Sequence, residues 1–212
     1  NCDFVFICVP TPMFQDGSQD LSYVESTFEK ATSKPVYILK STVLPGTCKE
    51  IKKRHPNIRI VFSPEFLTEA NHIEDFKNCN RMIFGGEPED TAECVRLLHN
   101  VFNDKYYFTT DWHTAEMVKY FINNFLSVKV SFANEMSQIC RSSGIDYNDV
   151  VRLALYDKRI GESHFQVPGP DGDFGFGGKC FPKDLNAMIT YSQQNNVDAK
   201  MLNAAWDKNM EV

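Results

Sequence analysis

Short apolar runs alternate with amphipathic stretches through the first half of the chain. Residues 3–9 are almost wholly apolar and end at Pro10-Thr-Pro12, which is typical of a strand buried on both faces of a parallel sheet. We predict further strands at 36–40, 58–62, 81–84 and 106–109, with helices at 21–33, 45–55 and 88–101. This alternation predicts an α/β fold with a partial doubly wound, Rossmann-like parallel sheet.

The pattern changes to a helical one after residue 110. A long helix is predicted over 111–140, a second over 147–156, and a third restarting at Pro182 after a glycine- and proline-rich loop. We therefore divide the chain into an α/β part, 1–110, and an all-α part, 111–212.

Composition excludes several classes of partner. The chain has 212 residues, a net charge of -6 and interspersed lysines and acids, so we expect no nucleic-acid or anionic membrane surface. No apolar run approaches the roughly 20 residues of a membrane span. Seven scattered cysteines without a CxxC pair or zinc-like spacing predict a reducing cytoplasm and no metal site.

The sequence contains no Gly-x-Gly-x-x-Gly turn after a strand, which a dinucleotide pyrophosphate would need. The chain also starts at an apolar strand without an initiating methionine. We therefore expect it to be a fragment that lacks preceding strands.

Cys180 is the cysteine with the most reactive setting. It directly precedes a predicted helix, where the partial positive charge of the helix start favours a thiolate, and Lys179 and Lys183 add positive charge. Gly177 and Gly178 allow close backbone approach to a ligand, and Asp184 lies in the first turn. The local pattern leaves open an inert loop thiol.

Three other groups are candidates for chemistry. Lys119 and Asn123 lie four residues apart on the long helix, although a surface lysine with a buried stem is the simpler interpretation. Glu65 and Glu69 follow a predicted strand, at the edge where α/β sheets bind ligands, but a solvated turn would have the same pattern. Ser41-Thr42 has the same placement and the same ambiguity.

Six motifs occur together in this chain. They are Val-Pro-Thr-Pro at 9–12, Ser-Thr-Val-Leu-Pro-Gly at 41–46, Ser-Pro-Glu-Phe-Leu-Thr-Glu at 63–69, Lys119 with Asn123, Asp-Lys-Arg-Ile-Gly at 157–161, and Gly-Phe-Gly-Gly-Lys-Cys-Phe-Pro-Lys-Asp at 175–184. In this order they resemble the UDP-glucose/GDP-mannose dehydrogenase family. The resemblance implies that 1–110 is the C-terminal part of an NAD-binding Rossmann-like domain. It also implies that 111–212 is a helical central domain which forms a homodimer through its long helix.

The resemblance implies NAD-dependent oxidation of a nucleotide sugar, with UDP-glucose leading, at C6 to the uronic acid used in polysaccharide biosynthesis. Cys180 would form a thiohemiacetal and then a thioester. Lys119 and Asn123 would stabilise the oxyanion, Glu65 would be the base for thioester hydrolysis, and Asp184 and Thr42 would position water.

The resemblance also implies the binding residues. For NAD they are Val9, Pro10, Thr11, Ser41, Thr42, Glu69 and Lys183. For the nucleotide sugar they are Phe66, Leu67, Lys119, Asn123, Phe165, Phe176 and Gly177, with Arg159 reaching a partner subunit's site. GDP-mannose and N-acetylated UDP-sugars stay open as substrates.

Two other functions are considered. The chain could be a non-catalytic dimerisation or binding module, because the glycine turn is absent from its sequence. An unrelated cysteine hydrolase would need a histidine partner, for which His164 is the candidate nearest to Cys180 in sequence.

Overall fold

The protein has an α/β fold that begins with a five-stranded sheet, and its computed structural model describes residues 2–68 and 71–212. The strands cross the sheet in chain order, so each lies beside the next one in sequence. Their bounds are β1 Phe4–Ile7, β2 Val36–Leu39, β3 Arg59–Phe62, β4 Arg81–Gly86 and β5 Tyr106–Thr110. The predicted α/β class is confirmed.

Helices lie between the strands, and four more follow the last strand. Their bounds are α1 Ser22–Phe28, α2 Thr47–Arg54, α3 His72–Asn78, α4 Pro88–His99, α5 Trp112–Ser142, α6 Tyr147–Ala154, α7 Phe181–Gln194 and α8 Lys200–Glu211. The 31-residue α5 is the predicted long helix. We did not predict α3 and α8, because α3 buries no residue and α8 buries only Ala205, so neither has a broad apolar stripe.

The sheet is mostly parallel, with one reversal. β1, β2 and β3 are parallel, and so are β4 and β5, but β4 is antiparallel to β3. Only Val61 with Gly86 and Phe62 with Gly85 pair across that junction. The predicted parallel sheet is confirmed for three of the four strand pairs. The antiparallel β3–β4 pair was not predicted, since an apolar run indicates burial, whereas strand direction depends on the path of the connection.

The central strands are buried on both faces, but β1 is not. Every residue of β2 is buried, and its side chains alternate between two apolar clusters, one containing Leu39 and Phe62 and the other Ile38 and Val61. β1 lies at an edge of the sheet, and its Phe6 is 49% exposed. The prediction that β1 is buried on both faces is therefore wrong for this strand.

Gly85 allows the start of α5 to pass close to β4. A Cβ atom at position 85 would lie 2.5 Å from the Ala115 Cβ and 2.7 Å from the Asp111 carbonyl oxygen. A side chain at Gly85 would therefore displace this end of α5, which carries Glu116 and Lys119.

The chain forms two compact units, Asn1–Tyr120 (unit 1) and Phe121–Val212 (unit 2), and α5 contributes residues to both. Unit 1 holds the sheet. Unit 2 has one apolar cluster around Ala133, Cys140 and Tyr147 and another around Phe176 and Leu185. The domain assignments of 1–110 and 111–212 stay a prediction.

Candidate active site

The carboxyl ends of β1 and β2 are tied together by side chains. The strands are parallel neighbours, and the Ser41 hydroxyl donates to the Val9 carbonyl at 2.6 Å. Gln19 Nε2 donates to the Thr42 carbonyl at 2.7 Å, whereas its Oε1 is buried without a hydrogen-bond partner within residues 2–68 and 71–212. A ligand N–H would relieve that cost. The nicotinamide carboxamide of NAD carries such a donor, so these loops fit the cofactor.

The other residues predicted to bind the cofactor lie in different settings. Thr11 is buried and Pro10 is exposed in the loop after β1. Lys183 lies in the first turn of α7, in unit 2. Glu69 falls outside the described residues, so its role stays a prediction.

Lys119 and Glu65 form an ion pair within unit 1. The Lys119 side chain is 4% exposed, and its Nζ donates to Glu65 Oε1 at 3.0 Å and to the Glu65 carbonyl at 2.7 Å. The simpler interpretation of Lys119 as a surface lysine is therefore wrong. Glu65 keeps 28% of its side chain exposed, so water can reach a carboxylate that an ammonium group holds in place.

Phe66 and Leu67 continue the same segment. The Phe66 ring centroid lies 4.8 Å from the Arg81 guanidinium carbon and 5.7 Å from Lys119 Nζ. The backbone N–H of Leu67 donates to Glu65 Oε2 at 2.6 Å. The structure thus brings Glu65, Phe66, Leu67 and Lys119 together, and both oxygens of Glu65 are hydrogen-bonded.

Lys40 also contacts this segment, and we did not predict it. Its Nζ donates to the Ser63 hydroxyl at 3.2 Å and to the Pro64 carbonyl at 3.3 Å. Burial is the largest cause that lowers the pKa of Lys40, to about 8. A polar residue directly after an apolar strand was the only sequence signal for it.

Cys180 is the N-cap residue of α7. The helix begins at Phe181, one residue before the predicted start, and Pro182 is in its first turn. The carbonyl of Cys180 accepts the first helical hydrogen bond, from the Asp184 N–H at 2.9 Å. The thiol is half-buried at the positive end of a 14-residue helix, which is a setting that favours thiolate.

Asp184 is the centre of a buried polar cluster in unit 2. Its side chain is 2% exposed and accepts a hydrogen bond from Asn123 Nδ2 at 2.6 Å. Lys183 Nζ donates to its other oxygen. Asp184 thereby fixes the side chains of Asn123 and Lys183 at the first turn of α7. This is the end of the helix that Cys180 caps.

The remaining residues predicted to bind the nucleotide sugar contact other parts of unit 2. Phe176 is buried in the core of unit 2, and both its N–H and its carbonyl bond to Asn209. Gly177 has open space where a Cβ would stand. Phe165 packs under the Lys129 ammonium, and the exposed Arg159 pairs with Asp157.

His164 gives little support to a cysteine hydrolase. Its ring packs against that of Phe181, with centroids 5.7 Å apart. Burial and then the charge of Lys129 lower the pKa of His164. Its Nδ1 has no hydrogen-bond partner in the described part of the chain, whereas a catalytic histidine needs a group that orients its ring.

An α/β fold with strand-end loops that fit NAD, and a thiol at a helix start, indicates a nucleotide-dependent dehydrogenase. Residues 1–103 match the NAD binding domain of the UDP-glucose/GDP-mannose dehydrogenase family, and residues 113–211 match its central domain. The chain belongs to this family. The match to the NAD binding domain also confirms the predicted cofactor.

Individual proteins agree with this assignment. The chain is 35% identical over 221 residues to a UDP-glucose 6-dehydrogenase of Rickettsia bellii, covering 100% of the chain and 50% of that protein. A UDP-glucose dehydrogenase structure from Pyrobaculum islandicum superposes with a TM-score of 0.85 at 32% identity, covering 99% of this chain and 50% of that one. For a UDP-D-ManNAc dehydrogenase from Pyrococcus horikoshii the TM-score is 0.80 at 25% identity, with 98% and 50% covered. The chain spans about half the length of the relatives it matches.

Within residues 2–68 and 71–212, none of the helices combines the length and the apolar character needed to cross a bilayer.

Proposed function

We propose that the protein acts in the NAD-dependent oxidation of a nucleotide sugar at C6, from the alcohol to the carboxylic acid. The observation that carries this proposal is the position of Cys180, half-buried at the N-cap of α7 beside the Asn123–Asp184 contact. Family membership and the strand-end loops that fit NAD support it. We propose the cytoplasm as the compartment, because the cysteines are scattered and unpatterned.

The proposed chemistry uses the Cys180 sulfur in the second half of the reaction. Bound NAD supplies a hydride acceptor for each of the two oxidations. The Cys180 thiolate adds to the C6 aldehyde and forms a C–S bond, giving a thiohemiacetal whose oxygen takes a proton. Oxidation of this adduct gives a thioester. Water then breaks the C–S bond, which releases the carboxylic acid and restores the thiol.

Lys119 and Asn123 are the proposed oxyanion stabilisers. The buried ammonium of Lys119 and the amide of Asn123 are donors whose orientation is already fixed, by Glu65 and by Asp184 respectively. As a neutral amine, Lys119 would also take the proton of the C6 alcohol.

Glu65 is the proposed base for thioester hydrolysis. Its carboxylate is partly open to water, as a base that activates water requires. Thr42 would position that water directly, and Asp184 would do so through the Asn123 amide. For Asp184, burial favours an indirect role, in which it orients the Asn123 amide.

We propose binding roles for the other family positions. Val9, Pro10, Thr11, Ser41, Thr42 and Glu69 would hold NAD, with Lys183 contributing a cation. Phe66, Leu67, Phe165, Phe176 and Gly177 would hold the sugar nucleotide. We propose UDP-glucose as the substrate. N-acetylated UDP-sugars are alternatives because of the similarity to a UDP-D-ManNAc dehydrogenase, and GDP-mannose is an alternative because of the family.

We also propose a homodimer through unit 2. Large apolar side chains are exposed on α5, on α6 and just after α6. They include Phe121, Phe125, Phe132, Ile139, Leu153 and Tyr156. A cavity of about 490 Å³ with an almost wholly apolar lining adjoins them. Such a surface is typical of an interface, and Arg159 at its rim would reach the partner's site.

Light scattering at micromolar concentration tests the dimer. Leu153→Asp should give a monomer, because it places a charge in the apolar face. Asn148→Asp adds the same charge at a polar position of α6 and should leave the dimer intact. A monomeric unsubstituted protein would contradict the shared site.

A non-catalytic binding or dimerisation module is the alternative function. It is favoured by the absence of a Gly-x-Gly-x-x-Gly turn from the 212 residues, because the pyrophosphate of NAD then lacks its usual contacts. Such a module would dimerise without reducing NAD.

One assay separates these functions. The purified protein is incubated with NAD and UDP-glucose, GDP-mannose or an N-acetylated UDP-sugar, and absorbance of the reduced cofactor is recorded. Cys180→Ser should abolish acid formation, by about 100-fold or more, whereas Cys2→Ser at an exposed position should not. Acid formation with two NAD reduced per sugar that is insensitive to Cys180→Ser contradicts the thioester route, and no reduction of NAD with any sugar favours the module.

A further inference from the structure

The register of the sheet places Lys40 beside the segment that carries Glu65. β2 and β3 are parallel, and Leu39 at the end of one strand pairs with Phe62 at the end of the other. The Ser63 N–H then donates to the Leu39 carbonyl at 2.9 Å. The residue after each strand, Lys40 and Ser63, must therefore lie at the same edge of the sheet.

Two ammonium groups hold consecutive carbonyls of this segment. Lys40 Nζ donates to the Pro64 carbonyl at 3.3 Å and to the Ser63 hydroxyl at 3.2 Å. Lys119 Nζ, from α5, donates to the Glu65 carbonyl at 2.7 Å. The backbone on both sides of the Glu65 Cα is thus fixed by charge-assisted hydrogen bonds, which are about twice as strong as neutral ones.

We propose that Lys40 is a positioning residue for Glu65, which it holds through the Ser63 hydroxyl and the Pro64 carbonyl. Lys119 binds the carboxylate directly, whereas Lys40 acts one residue upstream, on the peptide that sets the direction of the Glu65 side chain. The inference rests on the proposed function in one respect, namely that Glu65 is the base for hydrolysis.

The protonation of Lys40 depends on four neighbouring groups and on burial. Glu65 and the thiols of Cys8 and Cys79 favour its charged form, while Lys119 and burial oppose it, and the outcome is a pKa of about 8. Lys40 therefore changes charge within the range in which enzymes are assayed. Above pH 8 a neutral amine would hold the Pro64 carbonyl less firmly.

Competitive labelling of lysine amines with trace acetic anhydride tests the coupling without any need for turnover. The extent of acetylation of the Lys40 peptide is measured by mass spectrometry from pH 6 to pH 10, with exposed Lys53 as the internal reference. In the unsubstituted protein Lys40 should titrate near pH 8. Glu65→Gln should lower that midpoint, because it removes an attraction, and Lys119→Met should raise it, because it removes a repulsion.

The labelling result decides the inference even in a protein that reduces no NAD. A midpoint that moves with both substitutions supports Lys40 as a partner of Glu65. A midpoint that neither substitution changes overturns it. Circular dichroism of each variant shows that the comparison is made between folded proteins.

The pH profile of thioester hydrolysis gives the second test. Lys40→Met should lower kcat for acid formation about tenfold at pH 7, since a hydrogen bond to a charged group is lost, with KM for NAD unchanged. In the unsubstituted protein we expect kcat to decline above pH 8, where Lys40 loses its charge. Lys40→Met should remove this decline, whereas Lys40→Arg should extend the active range to higher pH. Lys53→Met is the control. A kcat profile unchanged by Lys40→Met, in an enzyme that depends on Cys180, contradicts Lys40 alone and leaves the proposed function standing.

Discussion

Each unit holds one candidate catalytic carboxylate, and the two carboxylates differ in their access to water. Glu65 in unit 1 keeps 28% of its side chain exposed and pairs with the Lys119 ammonium. Asp184 in unit 2 is 2% exposed and bonds to the Asn123 amide and to Lys183. Because a base that activates water must reach it, the difference supports our proposal that Glu65 is the base and that Asp184 orients the Asn123 amide.

The different burial of Glu65 and Asp184 could not be predicted from the sequence pattern around them. Both lie near a lysine, and both belong to motifs of the same family. What distinguishes them is that Asp184 lies in the first turn of a helix whose next residues include the buried Leu185 and Ala187, whereas Glu65 lies in a loop after a strand. Because packing determines burial, it also determines which of two chemically similar carboxylates can reach water.

Asp184→Ala should have the largest effect on stability. It leaves the buried Asn123 amide without its acceptor and removes the carboxylate partner of Lys183, so the free energy of unfolding should fall by about 4 kcal/mol. Urea denaturation followed by Trp206 fluorescence measures this for unit 2. Asp171→Ala, at an exposed loop position, is the control. A loss below about 1 kcal/mol would mean that Asp184 does not anchor the cluster.

Glu116 extends the comparison to a carboxylate that pairs with no cation among residues 2–68 and 71–212. It is fully buried and accepts from the backbone N–H groups of Gly46 and Cys48 at 2.6 and 2.8 Å. Burial raises its pKa to about 7. Since the folded-state pKa is the higher one, stability should fall as pH rises from about 4.5 to 7, by about 3 kcal/mol.

Glu116→Gln should remove this pH dependence. Urea unfolding between pH 5 and pH 8, followed through Trp112 in unit 1, should give a flatter curve than that of the unsubstituted protein. Glu89→Gln, at an exposed position of α4, should leave the slope as it was. Equal slopes for all three proteins would show that Glu116 titrates normally.

Glu65→Gln should change turnover more than stability. The amide can still accept from Lys119 but cannot remove a proton from water, so acid formation should slow by about 100-fold, or about 2.7 kcal/mol in the barrier. The free energy of unfolding should change by less than about 1 kcal/mol, because the pair is partly exposed. Rapid acid release by this variant would move the base to another residue.

Sequence predicted the elements that have strong local patterns. The apolar runs gave the strands, the long helical period gave α5, and the Cys-Phe-Pro run gave the start of α7 to within one residue. Unpredicted features depend on distant partners. Lys40 meets residues 23 and 24 positions away, Glu116 meets residues 68 and 70 away, and the reversal of β4 depends on the path of the chain between two strands.

The central claim is that Cys180 carries the sugar as a thioester. The direct measurement is peptide mass spectrometry of the Glu65→Gln protein after acid quench in the presence of NAD and UDP-glucose, because slowed hydrolysis should allow the adduct to accumulate. The account predicts an acyl adduct on the peptide that contains Cys180 and none on that peptide in Cys180→Ser. Acid formation with no adduct on Cys180, or with an adduct on a different residue, would contradict it.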